Sequence, residues 1–365
     1  MEIKILTLPF NDNYGGVLQA AALQYYIRGL GYNVSHFKWI PVQQFKKRLG
    51  WLLFYAKNRI FPRFLAKCMK GKACLFRSFI NANITETQLC FNPYKQSFSD
   101  NERWIVGSDQ VWRFPNTMGA DFWFLGFLPK SLRQRSFSYA ASFGDSAWNL
   151  SEDWTSKVRD LSNDMQAVSL REKDALGLCK HYLGINSTHV PDPTLLLSAE
   201  DYETMAEKSK SNYPKDYCGD YISYYILDMT PEKQQYLQTL SIKLHMPLVN
   251  MMYNPLMDSK LILKRPIEQW LDVIKNAKFM VTDSFHGCVF SIIYQTNFVV
   301  FNNKKRGSSR FLSLLSTLKL ENRMVNETDS PTSEIISKES WEEVNALLEK
   351  LKKEGKTFIV ENINK

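Results

Sequence analysis

The sequence predicts an α/β protein built from two Rossmann-like domains facing across a cleft. Three observations lead there. At 365 residues the chain is long for a single hydrophobic core. It opens with a strand–loop–helix–strand unit, Glu2 to Trp39, of the kind that begins a doubly wound sheet. The second half then repeats an alternation of short apolar runs with helical periodicities.

Glu2 to Leu8 reads as a buried strand, and Pro9 to Gly16 as the loop that follows it. Val17, Leu18, Ala21, Leu23, Ile27 and Leu30 mark a helix that ends at Gly29 and Gly31. Asn33 to Trp39 alternates as a second strand. Phe45 to Phe79 mixes cations with aromatic and aliphatic residues and reads as one or two amphipathic helices broken at Pro62. Arg103 to Val106 is a strand entering the polar turn Gly107-Ser108-Asp109-Gln110. Ser136 to Phe143 is a strand, Ser151 caps a helix running to Leu161, and Ala167 to Leu170 is a strand leading into Arg171. Beyond the prolines of Val190-Pro191-Asp192-Pro193-Thr194, strands are expected at Tyr221–Leu227, Pro247–Met251, Lys278–Thr282 and Phe298–Phe301. Helices are expected at Pro231–Leu244, Pro266–Ile274, after Ser284, at Ser309–Leu318 and at Trp341–Lys353. The domains predicted from this order are 1–190, with a basic insertion at about 41–85, then 191–330, and a C-terminal helix and tail, 331–365, packing back on the first domain.

Composition narrows the class. The hydrophobic fraction of 44% and charged fraction of 23% are those of an ordinary globular protein. No apolar run approaches the length of a bilayer span, and the N-terminus reads as a strand and not as a signal sequence. Six cysteines are scattered without a C-x-x-C pair, so neither zinc nor a disulfide framework is expected; reduced cytosolic thiols fit better. The net charge of +9 is local. No acidic residue lies between Asp12 and Glu86, an interval that holds twelve lysines and arginines, so the remainder of the chain is slightly acidic. Such a segment, Lys46 to Arg77 in particular, can be a solvated face over the core, but the complete absence of acids favours an anionic membrane surface or another polyanion.

Met280 to Gln295 is where chemistry is expected. The apolar run Phe279–Val281 meets Thr282-Asp283-Ser284, and helical spacing resumes at Val289, Phe290, Ile292 and Ile293. His286 therefore falls where a strand hands over to a helix, among backbone N–H groups that favour anions. A histidine capping its own helix, with Gly287 allowing close packing, fits the same residues. Three further groups fall at the C-terminal ends of predicted strands, where open α/β sheets bind ligands. Asn13-Tyr14-Gly15-Gly16 is either a backbone approach for a ligand or a packing turn, and it lacks the spaced glycines of a dinucleotide fingerprint. Asp109, with Gln110 beside it, is a ligand contact or a turn cap. Arg171 is a planar cationic fork for a carboxylate or phosphate, or a surface ion pair with Glu172 or Asp174.

These motifs resemble, in order, those of the polysaccharide pyruvyltransferases. They are Asn13-Tyr14-Gly15-Gly16-Val17-Leu18-Gln19, Gly107-Ser108-Asp109-Gln110-Val111-Trp112, Ser169-Leu170-Arg171-Glu172, Val190-Pro191-Asp192-Pro193-Thr194, Thr282-Asp283-Ser284-Phe285-His286-Gly287 and the helix start Ser309-Arg310-Phe311. The resemblance covers about Ile3 to Arg323 and implies a GT-B-like arrangement of the two domains. It also implies transfer of a pyruvyl group from phosphoenolpyruvate to two hydroxyls of a sugar, forming a cyclic ketal and releasing phosphate. On that reading His286 is the catalytic acid, its pKa raised by the donor phosphate and Asp283. Arg171, Ser284, Gly287 and Arg310 bind the donor. Asn13, Tyr14, Gly15, Gly16, Asp109 and Gln110 face the acceptor, and Asp192 and Asp283 stand behind them. Many relatives carry arginine where this chain has Ser284; Arg310, or more weakly Lys304, Lys305 or Arg306, is expected to replace it. No cofactor or metal is implied. The acceptor is expected to be a lipid-diphosphate-linked oligosaccharide of a bacterial surface polysaccharide, such as a capsule or exopolysaccharide, met in the cytoplasm at the inner face of the membrane. No nucleic acid is expected as a partner. Two other classes remain open: a GT-B glycosyltransferase using a nucleotide sugar, and a non-enzymatic protein whose basic arm grips a membrane or nucleic acid.

Overall fold

The computed structural model describes residues 1–10, 12–39, 76–114, 119–144, 147–209, 214–252, 264–302, 308–337 and 339–365. The basic stretch from Lys46 up to position 75, and Lys304, Lys305 and Arg306, lie outside the described residues.

The described chain divides into two compact units, each built on a parallel sheet. The N-terminal unit holds residues 1–39, Ile84–Leu196 and Leu351–Lys365. Its central sheet has the order β2-β1-β3-β4, from β1 (Glu2–Leu6), β2 (Asn33–His36), β3 (Glu102–Gly107) and β4 (Phe137–Tyr139), every pair parallel. Isolated parallel bridges extend the order at both edges. His36 and Trp39 pair with Glu86 and Cys90, and Phe137 and Ala141 pair with Ala167 and Leu170, next to β5 (Ser169–Leu170) and β6 (Thr188–His189). The chain thus works outward from β1 on one side, then returns to build the other side from β3. Ligands in such sheets bind at that reversal, off the C-terminal ends of the two central strands.

Side chains along β1 and β3 alternate between two buried faces, the period-two signature of a sheet covered on both sides. Ile3, Ile5 and Ile105 join Leu23 and Ile27 of helix α1 (Tyr14–Gly29) in one core. Leu6, Trp104 and Val106 join an aromatic-rich core with Trp112, Phe122, Trp123 and Phe124 in the other. The last helix completes the first face. Phe358, Ile359 and Ile363 pack with Phe137, Tyr139 and Val190, and Gln166 Nε2 donates to the Asn362 carbonyl at 2.9 Å.

The C-terminal unit holds residues 76–83 and Leu197–Lys350. Its five strands are β7 (Ile222–Tyr225), β8 (Leu248–Asn250), β9 (Phe279–Thr282), β10 (Asn297–Phe301) and β11 (Met324–Val325), ordered β11-β10-β9-β7-β8 and all parallel. Here the reversal lies between β7 and β9. Ile222, Phe279, Val281, Val299 and Phe301 pack against Tyr236, Leu237 and Leu240 of the helix Pro231–Leu244. Among the described residues, no helix is long and apolar enough to cross a membrane.

Several elements differ from expectation, each for a physical reason. The helix predicted from Val17 begins at Tyr14, because Asn13 caps it by accepting from Gly15 N at 3.1 Å. Tyr14, Gly15 and Gly16 are therefore its first turn and not loop. The last helix runs Trp341–Asn364, well past Lys353. Gly355 does not stop it; a Cβ there would lie 2.6 Å from Tyr139 Oη and 2.8 Å from Pro191, so the glycine serves close packing. The division between units falls after Leu196 and not at 190, since Leu196 belongs to the N-terminal core. The C-terminal end of the basic insertion, helix Arg77–Asn83, belongs with the C-terminal unit. Asn83 Nδ2 donates to Met205 O at 3.0 Å, on the unpredicted helix Ala199–Lys208, whose Ser198–Asp201 capping box was the sequence signal for it. Cys90, Cys179, Cys218 and Cys288 are free thiols.

Two stability predictions follow from the N-terminal core. Truncating the fully buried Ile359 (Ile359→Ala) is expected to cost about 2–4 kcal/mol in urea unfolding. His36 is buried with Nε2 3.1 Å from the Ala20 carbonyl. Burial lowers its pKa from 6.5 to about 4, against the pull of Ala20 and with help from Arg28. The unfolded chain therefore binds the extra proton between those values; stability is complete above pH ~6.5 and is lost as pH falls towards 4. The loss at this one group is on the order of 3 kcal/mol, and a His36→Gln variant should show a flatter urea midpoint between pH 7 and pH 4.5.

Candidate functional site

In the N-terminal unit, four of the six motifs meet in one buried polar network off the C-terminal ends of β1, β3 and β5. Ser108 N donates to Gln19 Oε1 at 3.2 Å, while Gln19 Nε2 reaches Thr7 Oγ1 at 3.2 Å and the Gly16 carbonyl at 2.9 Å. Ser108 Oγ donates to Asp192 at 3.4 Å, and Asp192 also accepts from Arg171 Nη1 at 2.7 Å and from Thr194 N and Oγ1 at 3.0 and 2.7 Å. Ser142 Oγ donates to Glu172. Arg171 has a side-chain exposure of 2% and faces Asp192, Asp109 at 3.8 Å and Glu172 at 3.9 Å. It is a buried guanidinium, not half of a surface pair. Burial alone would push its pKa down; the carboxylates of Asp192, Glu172 and Asp109 outweigh that and hold it above its ordinary value. An anionic ligand at Arg171 therefore competes with carboxylates already in place.

Asp109 is the most loosely held member of this network. It adopts φ 63°, in the left-handed region, and its backbone carbonyl accepts from Val111 N and Ser142 N. Its carboxylate faces Arg171 at 3.8 Å. The turn before it depends on Gly107, at φ 122°, where a Cβ would stand 2.3 Å from the Tyr139 carbonyl oxygen. Gln110 is half-buried and accepts from Arg113 at 3.2 Å, and Asn13 is exposed at the N-cap of α1.

In the C-terminal unit the histidine motif lies at the β7/β9 reversal. Thr282 Oγ1 donates to the Tyr225 carbonyl at 2.7 Å and accepts Ser284 N at 3.0 Å. Helix α7 (Phe285–Ile293) follows directly, with Ser284, not His286, as its N-cap. His286 is its second residue and is buried. Gly287 is required by Thr282, whose Oγ1 would be 2.4 Å from a Cβ. Arg310, near the start of the helix Ser308–Leu318, is buried with its guanidinium carbon 5.5 Å from the Phe285 ring centroid. The Phe285 ring meets the His286 imidazole edge-on at 5.2 Å. One aromatic ring thus carries both the imidazole and the guanidinium.

Asp283 stands beneath this turn. Its carboxylate accepts from Leu227 N at 2.6 Å, Asp228 N at 3.1 Å and the buried Lys233 Nζ at 3.0 Å. Lys233 also donates to the Asp228 carbonyl at 2.7 Å and pairs with Glu327 at 3.4 Å. The expectation that Asp283 charges His286 meets a carboxylate already matched by an ammonium and fixed on the loop after β7. Lys233 and Ser142 were not singled out by sequence reasoning, and Gln19 and Thr194 only stand inside recognised motifs; Glu172 was read only as a possible surface partner of Arg171. Lys233 carries no local signal. Among the described residues, no group of three or more His, Cys, Asp or Glu side chains is arranged to hold a metal ion.

The fold and these features define an α/β protein of two parallel-sheet units, one carrying a buried imidazole and guanidinium at a helix start. The sequence model of the polysaccharide pyruvyl transferase family matches residues 13–305, and the chain belongs to that family. Comparison with curated protein sequences finds no match. Among solved structures, the chain is similar to the N-terminal domain of Candida albicans trehalose-6-phosphate phosphatase, at 12% identity and TM-score 0.46, covering 100% of this chain and 96% of that one. It is also similar to Arabidopsis thaliana UGT89C1 complexed with UDP-L-rhamnose, at 10% identity and TM-score 0.47, covering 99% and 98%. A third similarity is to E. coli heptosyltransferase WaaC with ADP, at 12% identity and TM-score 0.35, covering 99% and 100%.

Removing the Asp283 carboxylate is expected to be severe. Asp283→Ala removes the acceptor of two backbone N–H groups and leaves the buried Lys233 with only the half-exposed Glu327 as a carboxylate partner, and should cost about 3–5 kcal/mol. The double variant Asp283→Ala/Lys233→Met should recover part of that loss in chemical denaturation; a double variant as unstable as the single one would refute the pairing.

Proposed function

We propose that the protein transfers the pyruvyl group of phosphoenolpyruvate to two hydroxyls of a sugar, forming a cyclic ketal. Family membership supports a polysaccharide pyruvyl transferase. The observation that carries the finer reading is the His286–Phe285–Arg310 stack at the start of α7. It joins a proton donor to a cation at the positive end of a helix, which is what an anionic enol donor requires.

In this reading His286 protonates the donor's methylene carbon, which makes the adjacent enol carbon electrophilic. A sugar hydroxyl oxygen bonds to that carbon, the carbon–oxygen bond to phosphate breaks, and the second hydroxyl closes the ring. Of the two hydroxyl protons, one restores the proton given up by His286 and the other leaves with phosphate. Arg310, Ser284 and Gly287 hold the donor. Arg171, expected as a donor clamp, is already engaged by Asp192, so a direct role for it requires that pair to open. Asn13, Tyr14, Gly15, Gly16, Asp109 and Gln110 are proposed to meet the acceptor, with Asp109 the carboxylate best placed to accept from a hydroxyl. The acid-free run of twelve cations supports a lipid-diphosphate-linked acceptor at the inner membrane face, in the making of a bacterial surface polysaccharide.

The test is phosphate release from phosphoenolpyruvate in the presence of lipid-linked and free galactosides, mannosides and glucosamine derivatives. His286→Ala should lower turnover by at least about 100-fold while leaving the melting temperature within a few degrees. Turnover that survives the substitution would remove His286 from the mechanism. Stabilisation by nucleotide sugars and not by phosphoenolpyruvate would replace the reading with glycosyl transfer.

A further inference from the structure

We propose that Trp154, Asp121 and Tyr94 form an outer sugar-binding subsite, which takes a sugar of the acceptor glycan next to the one that receives the pyruvyl group. The role of that sugar rests on the acceptor reading above; the subsite is argued from its own geometry, within the N-terminal unit.

Trp104, Trp112, Trp123 and Trp270 are fully buried, whereas Trp154, in the first turn of the helix Glu152–Asn163, is 38% exposed. A single exposed ring carries little by itself; its surroundings decide. Beside it stands a nearly buried carboxylate. Asp121 Oδ2 accepts from Lys157 Nζ at 2.8 Å, and the carboxylate also accepts from the half-exposed Tyr94 hydroxyl group's ring neighbourhood through that phenol O–H. A carboxylate offers about four lone-pair sites, so these two donors leave room for hydroxyls from outside.

Gly119 brings ring and carboxylate together. Its φ of −56° is open to every residue, so backbone conformation does not call for glycine there. Space does: a Cβ would lie 2.7 Å from Asp121 Oδ1 and 3.2 Å from Trp154 Cη2. The indole edge and the carboxylate thus flank one bare Cα, within the span of a single pyranose ring.

Topology places the patch. The helix Glu152–Asn163 carries the chain from the C-terminal end of β4 back towards β5, so its first turn lies off the same edge of the sheet as Asp109 and Arg171. Contacts run inward from it. Trp148 Nε1 donates to Thr155 Oγ1 at 2.7 Å, the Trp148 and Phe143 rings meet at 5.5 Å, and Gln110 lies against Gly144. The patch is therefore continuous with Gln110, already proposed to meet the acceptor.

Its chemistry selects the ligand. A pyranose turns a face of C–H groups to an aromatic ring and its hydroxyls to a carboxylate. An anion would be repelled by Asp121, and the cation's place over the ring is held by Lys157 Nζ, 5.0 Å from the centroid. A neutral ring rich in hydroxyls is what fits.

Lactose, mannobiose and chitobiose are the probes, each titrated against the full chain by calorimetry and by saturation-transfer NMR. Wild type should bind at least one of them. Trp154→Ala should weaken that binding at least about fivefold, Trp154→Phe should restore part of it, and Asp121→Asn should weaken it by a similar factor. Trp154→Ala should melt within a few degrees of wild type. In the transfer assay Trp154→Ala should raise KM for oligosaccharide acceptors and leave kcat and monosaccharide acceptors unchanged. No disaccharide bound by wild type, equal affinity in Trp154→Ala, or an equal loss with monosaccharides and oligosaccharides each overturns the proposal. Disaccharide binding that depends on Trp154, in a protein that consumes no phosphoenolpyruvate, would leave the subsite standing and overturn the pyruvyl-transfer reading instead.

Discussion

The candidate site of the C-terminal unit hangs on one buried carboxylate. Asp283 collects the N–H groups of Leu227 and Asp228 and the ammonium of Lys233, and so fastens the loop after β7 to the turn after β9. A parallel sheet fixes where strands end but says little about how the loops beyond them are arranged. Here a single anion, matched by a single buried cation, sets two of those loops with respect to one another. A buried pair of this kind is retained at a cost in desolvation. What it secures is the orientation of a helix start bearing His286 as its second residue.

The N-terminal unit solves the same problem with more charges. Arg171 lies among Asp192, Glu172 and Asp109; the hydroxyls of Ser108, Thr194 and Ser142 and the Thr194 N–H donate to the Asp192 and Glu172 carboxylates, while Gln19 accepts from Ser108 N. Three carboxylates against one guanidinium leave this edge of the sheet electronegative, while the start of α7 is electropositive. The two reversals therefore carry opposite local charge.

Much of the architecture was legible in the residues themselves. The helix Pro231–Leu244 runs between the predicted ends, since a capping Thr230 and Pro231 mark its start and the apolar spacing carries it onward. Strands read longer in the sequence than in the sheet. Ile226 and Leu227 continue the apolar run of β7, yet the ladder stops at Tyr225, whose carbonyl receives the Thr282 hydroxyl. Gly355 looks like a helix terminator and is instead a contact residue. The strand-to-helix junctions that place Asp109, Asp283, Ser284 and His286 were legible in the polar residues that follow apolar runs, whereas Arg310 was singled out by resemblance alone. Lys233 was not legible, because its significance lies in a partner fifty positions away. Pairing across such a separation leaves no trace in local composition or spacing.

The placement of Phe358, Ile359 and Ile363 in the first core bears on how the chain acquires its shape on the ribosome. An N-terminal domain commonly matures while the remainder is still being translated. Here the opening strands must wait, with one flank of their sheet uncovered, until the whole C-terminal unit has been synthesised. A nascent chain stalled before position 351 leaves that apolar flank uncovered.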